Sequence, residues 1–257
     1  MLSKKFKRSQ KVSKTGFRYR GLTSSRLENL IDAVFGFSIT LLVIASEVPR
    51  DYVELQASMY SFSGFIFCIL LLLSIWNNQN NFFLHYGLQD ETIKILTFLF
   101  LFLLLFYIYP LKYLFSYLGT AIYAQIMIGF GDKSEALVMA VDKLNESALS
   151  EAEWRDIMIR FGLGLFLIYA LLALMHLHAL RKKKELELNS LEEFETGTAI
   201  RSYIILMIIA FSSILVVAIF GGVGAVYAGS IYGAIPLFLI LLKKKRIQKF
   251  RKLTKTD

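Results

Sequence analysis

No charged side chain occurs between Lys94 and Lys112, nor between Arg201 and Lys243. In hydrocarbon such runs must pair their own backbone N–H and C=O groups, so they read as membrane-spanning helices. The composition agrees: 56% of the 257 residues are hydrophobic and 19% charged, against roughly 25% charged in a soluble domain. The charge that is present collects in the ends and connections. A net charge of +9 could suit nucleic acid, but the basic residues are not interleaved with exposed aromatics along a groove. They sit beside apolar runs, where they act as topology signals and contacts for anionic lipid. The single cysteine, Cys68, rules out an intrachain disulfide and a zinc-finger type of metal site. No apolar core precedes residue 27, so no cleavable signal peptide is expected. The expectation is an integral, all-α membrane protein that binds no nucleic acid.

Six spans are predicted, at about 25–48, 57–80, 93–118, 150–181, 199–221 and 225–242. Together they form a transmembrane domain over 25–242, flanked by a mobile basic tail at 1–24 and a basic tail at 243–257. The first and fourth spans open with capping boxes, Ser25 with Glu28 and Ser150 with Glu153. Residues 120–149 are amphipathic at best and read as a longer loop with a short surface helix. Nine Lys and Arg lie in the segment through Arg26 and eight in the C-terminal tail, with a further basic group at Arg181–Lys184. The positive-inside rule then puts both termini and the fourth connection on the cytoplasmic side, which an even number of spans satisfies.

The first span differs from the rest. Asp32, Ala33, Gly36, Thr40 and Glu47 fall within an arc of about 100°, while Ser38 lies off it. Ala33, Phe37, Thr40, Ile44 and Glu47 are spaced four, three, four and three, the seam of a helix packed about a common axis. That seam fits either packing against neighbouring helices or several copies surrounding a pore. Two features favour the pore. Asp32 is an ionisable group within a span, and Glu47, Asp51 and Glu54 gather at the outer end, where they would concentrate cations. The plainer readings are a structural carboxylate at Asp32 and an ordinary solvated loop at 47–54.

Residues 26–44 resemble the first helix of the transmembrane protein 175 family of potassium channels. Arg26, Asp32, Ala33, Val34 and Phe35 stand in its motif, followed by Ile39, Thr40, Leu41 and Leu42; Leu30 and Ile31 replace the family's Phe-Ser pair. Trp76 is retained near the end of the second span, followed by Asn77 and Asn78, with the amides Gln79 and Asn80 where the family carries a histidine pair. Pro110 stands in the third span, so the resemblance covers roughly 26–118. It implies a homotetramer of six-helix subunits in a prokaryotic plasma membrane, four first helices lining a pore, and potassium as the permeant ion with no cofactor. It also implies pore residues at Phe37, Thr40 and Ile44, which the helical seam selects by itself. Arg26 and Asp32 are roughly 240° apart on the helix and cannot pair directly. Each is expected to reach other helices near Trp76 and Gln79, holding the first helix in position.

Elsewhere, His176 and His178 face different sides and make a poor metal pair, and His85 reads as a solvated loop residue. Gly229 and Gly233 suggest close packing of the last helix, and Pro236 a kink in it. No catalytic triad, paired carboxylates or phosphate-binding loop occurs in a suitable context, so no enzyme is expected. A secondary transporter or proton-permeable cation pathway is the alternative to a channel, although no inverted repeat is visible.

Overall fold

Helix boundaries are set by capping residues. The computed structural model describes residues 12–13, 16–44, 49–232 and 235, and every structural statement concerns these. The order is α1 (Arg26–Ile44), α2 (Tyr52–Tyr86), α3 (Glu91–Gly129), α4 (Glu135–Glu146), α5 (Glu151–Arg181), α6 (Ser190–Phe220), a 3₁₀ turn over Gly221–Val223 and α7 (Gly224–Tyr232). Both expected capping boxes are present. The Ser25 N–H donates to Glu28 Oε1 at 3.0 Å and the Glu28 N–H to Ser25 Oγ at 3.2 Å, while Ser150 and Glu153 pair in the same way. Asp51, Asp90 and Ser134 cap α2, α3 and α4, and Asn189 with Glu192 forms a third capping box at the start of α6.

Several helices outrun their apolar stretches. The second runs from Tyr52 to Tyr86 rather than 57–80, the third continues to Gly129 rather than 118, and α6 begins at Ser190 rather than 199. Hydropathy marks the stretch suited to lipid, whereas the helix persists until a cap or glycine stops it. The amphipathic helix expected within 120–149 is α4, which packs Ala136, Leu137 and Ala140 inward against α2 and α3. Among the described residues, four helical segments are long and apolar enough to cross a membrane: Tyr52–Tyr86, Glu91–Gly129, Glu151–Arg181 and Ser190–Val223. The first helix, α1, is shorter and carries Arg26, Glu28 and Asp32 in its first two turns. Half of the sixth expected span, together with Gly233, Pro236, Glu47 and the tail at 243–257, lies outside the described residues.

The helices α2 and α3 cross at a glycine contact. A Cβ on Gly64 would fall 1.8 Å from the Phe115 carbonyl oxygen, and one on Gly119 2.4 Å from the Gly64 nitrogen. Gly229, by contrast, has ordinary space, so close packing occurs at α2–α3 rather than at that residue. The thiol of Cys68 is buried at the same interface and faces the Leu111 carbonyl.

Within the basic tail at 1–24, residues 16–21 are fastened rather than mobile. The side chain of Phe17 is fully buried and stacks on His85, ring centroids 4.2 Å apart. Arg18 and Arg20 both reach Glu192, each with an Nη2 to Oε2 distance of 2.7 Å. This strap also corrects the reading of His85, which lies in the last turn of α2 between Phe17 and Tyr19. Its partners are remote in sequence, so no local pattern announces it. His176 is a core residue, bonded through Nδ1 to the Leu172 carbonyl at 2.8 Å and ringed by Phe82, Tyr86 and Tyr203.

Candidate pore helix and its anchor

The helix α1 has one covered and one uncovered face. Ile31, Phe35, Ser38 and Leu42 are buried against α2 and α3, at spacings of four, three and four. Ser38 departs from the polar arc because it belongs to this packed face, where its hydroxyl donates to the Val34 carbonyl at 2.7 Å. That bond within the helix satisfies a buried hydroxyl without a partner on another helix. On the other side Asp32, Ala33, Gly36, Phe37 and Thr40 are all exposed in the single subunit, Phe37 by 58%. A Cβ on Gly36 would meet nothing within 4 Å. The Thr40 hydroxyl donates to the Gly36 carbonyl at 2.9 Å, so its oxygen keeps the capacity to accept. Ile44 ends the helix and Glu47 lies beyond the described residues.

Four residues were expected to position this helix, and the structure brings two of them together. The indole Nε1–H of Trp76 donates to Asp32 Oδ1 at 2.8 Å, joining α2 to α1. Gln79, one turn further along α2, is fully buried, and neither its amide oxygen nor its nitrogen has a hydrogen-bond partner among the described residues. It faces the packed interior rather than the carboxylate. Arg26 is exposed and has no polar partner among the described residues.

At the far end of α1, two of the three acidic groups expected at a cation-collecting mouth are engaged. Asp51 Oδ1 accepts the Glu54 N–H at 2.8 Å as the α2 cap. Glu54 accepts the Arg50 N–H at 2.8 Å and pairs with Lys143 of α4 at 2.9 Å. Asp51 thus caps α2, and Glu54 fastens the start of α2 to α4. Near the opposite end Asp90 accepts from His178 Nε2 at 2.8 Å and Lys182 Nζ at 3.1 Å, as well as from the Ile93 N–H. Burial alone would push its carboxyl up, but these donors outweigh that cost and hold it down at about 2. No cluster of three or more His, Cys, Asp or Glu that could hold a metal ion occurs among the described residues.

Residues 26–107 match the model of the family described as endosomal/lysosomal potassium channel TMEM175. A potassium channel of Marivirga tractuosa is 36% identical over 203 residues, which are 79% of this chain and 78% of that protein. The chain belongs to the TMEM175 family of potassium channels. A crystal structure of a single-substitution variant of the TMEM175 channel MtTMEM175, solved with a nanobody–MBP fusion, superposes with a TM-score of 0.76. It is 30% identical, and the match covers 93% of this chain and 100% of that one. The matched TMEM175 segment runs from the first residue of α1 into α3, and so contains both the uncovered face and its Trp76 anchor.

Proposed function

We propose that four copies of this chain assemble around a central axis to form a potassium-selective channel, with Ala33, Phe37, Thr40 and Ile44 of each α1 facing the pore. One observation carries this reading: a single subunit leaves uncovered the α1 face that mixes small, hydroxyl and apolar residues at coiled-coil spacing. The membership in a potassium-channel family and the match to a solved channel support it. In the assembly each subunit contributes six spans, the sixth over 225–242. The termini face the cytoplasm of a bacterial plasma membrane, and the basic tails meet anionic lipid.

The chemistry follows from the ring positions. A ring of four Phe37 side chains forms an apolar constriction that water leaves when the pore narrows, which blocks ions without a plug. The next ring, Thr40, presents hydroxyl oxygens that replace part of the hydration shell of potassium, whose looser shell costs less to remove than that of sodium. Glu47 raises the local cation concentration at the outer mouth. The Trp76–Asp32 bond sets the rotation of α1, so that these side chains rather than their neighbours point to the axis.

The test is flux through purified protein in potassium-loaded liposomes, with bi-ionic recording of selectivity. Passive potassium flux without a coupled gradient is expected, and Thr40→Ala should lower the preference for potassium over sodium. If Thr40→Ala and Ile44→Ala both leave flux and selectivity unchanged, the pore assignment fails. A monomeric mass for the conducting species would also exclude it.

A further inference from the structure

Asn29, in the first turns of α1, is exposed, and its side chain has no polar partner among the described residues. On the helix it stands about 20° from both Gly36 and Thr40 and about 40° from Ala33. The buried stripe of Ile31, Phe35, Ser38 and Leu42 is centred roughly 150° away, on the opposite side. Asn29 is therefore in line with the residues assigned to the pore, about 17 Å from Thr40 along the axis. Its place on the helix is well fixed. The Asn29 N–H donates to the Ser25 carbonyl at 3.0 Å, in the turn that the Ser25–Glu28 capping box closes.

The neighbouring charges leave this amide in control of its level. Arg26 lies a turn toward the N-terminus and about 60° to one side, and Asp32 a turn the other way and about 60° to the other. Their opposite charges offset each other at Asn29. Glu28 is turned about 100° away, with Oε1 taken by the Ser25 N–H. Between Asn29 and Phe37 the same stripe carries only Ala33 and Gly36, and a Cβ on Gly36 would meet nothing within 4 Å. Four such stripes around an axis leave the lumen wider there than at Phe37.

We propose that Asn29 forms the cytoplasmic entrance ring of the pore, where four amide oxygens receive the hydrated potassium ion before it meets Phe37 and Thr40. The ring rests on the assembly of four α1 helices proposed above and adds a residue to its conduction path. A helix N-terminus carries partial positive charge, which four converging α1 helices would turn against an entering cation. The amide oxygens counter that repulsion and accept hydrogen bonds from water in the first shell of the ion. Being dipoles rather than full charges, they pass the ion on without holding it.

Inside-out patch recording of the full chain in symmetrical potassium tests this directly, since a charge at one mouth biases current in one direction. Relative to wild type, Asn29→Asp should raise outward over inward current by about twofold or more, and Asn29→Lys should bias it the other way. Both shifts should fade as potassium approaches 1 M, where the screening length falls to roughly 3 Å. If the charged variants do not assemble, Asn29→Cys decides. A cationic methanethiosulfonate reagent on the cytoplasmic side should block its outward current and spare the wild type, whose single thiol is buried. Unchanged rectification in both charged variants, or an unreactive cysteine, overturns the entrance ring. So does a changed oligomer mass without a change in rectification, which would put Asn29 between neighbouring subunits. Thr40→Ala, recorded alongside, separates the two claims. Altered selectivity there with a silent Asn29→Asp removes the ring alone, whereas silence at Thr40 and Ile44 as well removes the pore assignment beneath it.

Discussion

Glu192 and Asp32 are both carboxylates that tie the region around α1 to the bundle, and they do so in opposite ways. The side chain of Glu192 is fully buried and accepts from Arg18 through its backbone N–H, Nε and Nη2, from Arg20, and from the Asn189 N–H. Asp32 is exposed and accepts from a single donor, the Trp76 indole. The first arrangement has spent its acceptor capacity on one subunit. The second has capacity left, beside a helix face that nothing covers. A saturated buried carboxylate is an anchor, whereas an exposed one with a single bond is positioned yet still available.

The largest effect expected from this contrast is on stability. Glu192→Ala strands two partly buried guanidinium groups and should cost about 3–5 kcal/mol. Denaturant or thermal unfolding in detergent measures it, and an unchanged midpoint would dissolve the distinction between anchor and available group. Trp76→Phe keeps an aromatic side chain but removes the N–H bond to Asp32 along with part of the indole's packing, the bond alone being a loss of about 1.5 kcal/mol. It should lower potassium flux roughly tenfold by letting α1 rotate, with a much smaller effect on unfolding than Glu192→Ala. Flux equal to wild type would mean that this bond does not orient the helix.

Asp90 falls between the two, partly buried with three donors. Its carboxyl is held at about 2 against an ordinary value of 3.8, so its contribution is present above pH 4 and lost as pH falls through 2. After solvent screening that contribution is about 1 kcal/mol. Asp90→Asn retains a capping oxygen and should flatten the stability profile between pH 4 and 2, while a profile as steep as wild type would assign the slope elsewhere. The smallest change is expected from Asp32→Asn, whose amide oxygen still accepts from Trp76. Stability should move by no more than about 0.5 kcal/mol, so any change in potassium flux would report the charge alone.

Legibility in the sequence followed the range of the interaction. The seam of α1 was visible because Ala33, Phe37 and Thr40 repeat within a single helix, and the capping boxes because their partners are three residues apart. The pairing of Trp76 with Asp32 was anticipated through the family motif. The strap was not visible, since Phe17, Arg18 and Arg20 form no period and Glu192 is remote from them in the chain. The glycine crossing escaped for a related reason: Gly64 and Gly119 are single glycines on different helices, whereas GxxxG spacing drew attention to α7. Asp51 and Glu54 looked like a mouth because composition shows charge but not commitment, and only their bonds to the α2 cap and Lys143 reveal how they are used.

The strap reaches Glu192 only five residues before Ser25 opens α1, and Trp76 holds that helix again two turns in. Both restraints act on the same end. A rod fastened near its base behaves as a lever, so a tilt of about 10° carries its far end about 5 Å over the length of nineteen residues. Any such swing displaces Thr40 further than Ala33, and Ala33 further than the strap. A tilt would therefore be graded along the helix, least where the two polar restraints hold it, and it would have to slide Leu42 over α2 and α3.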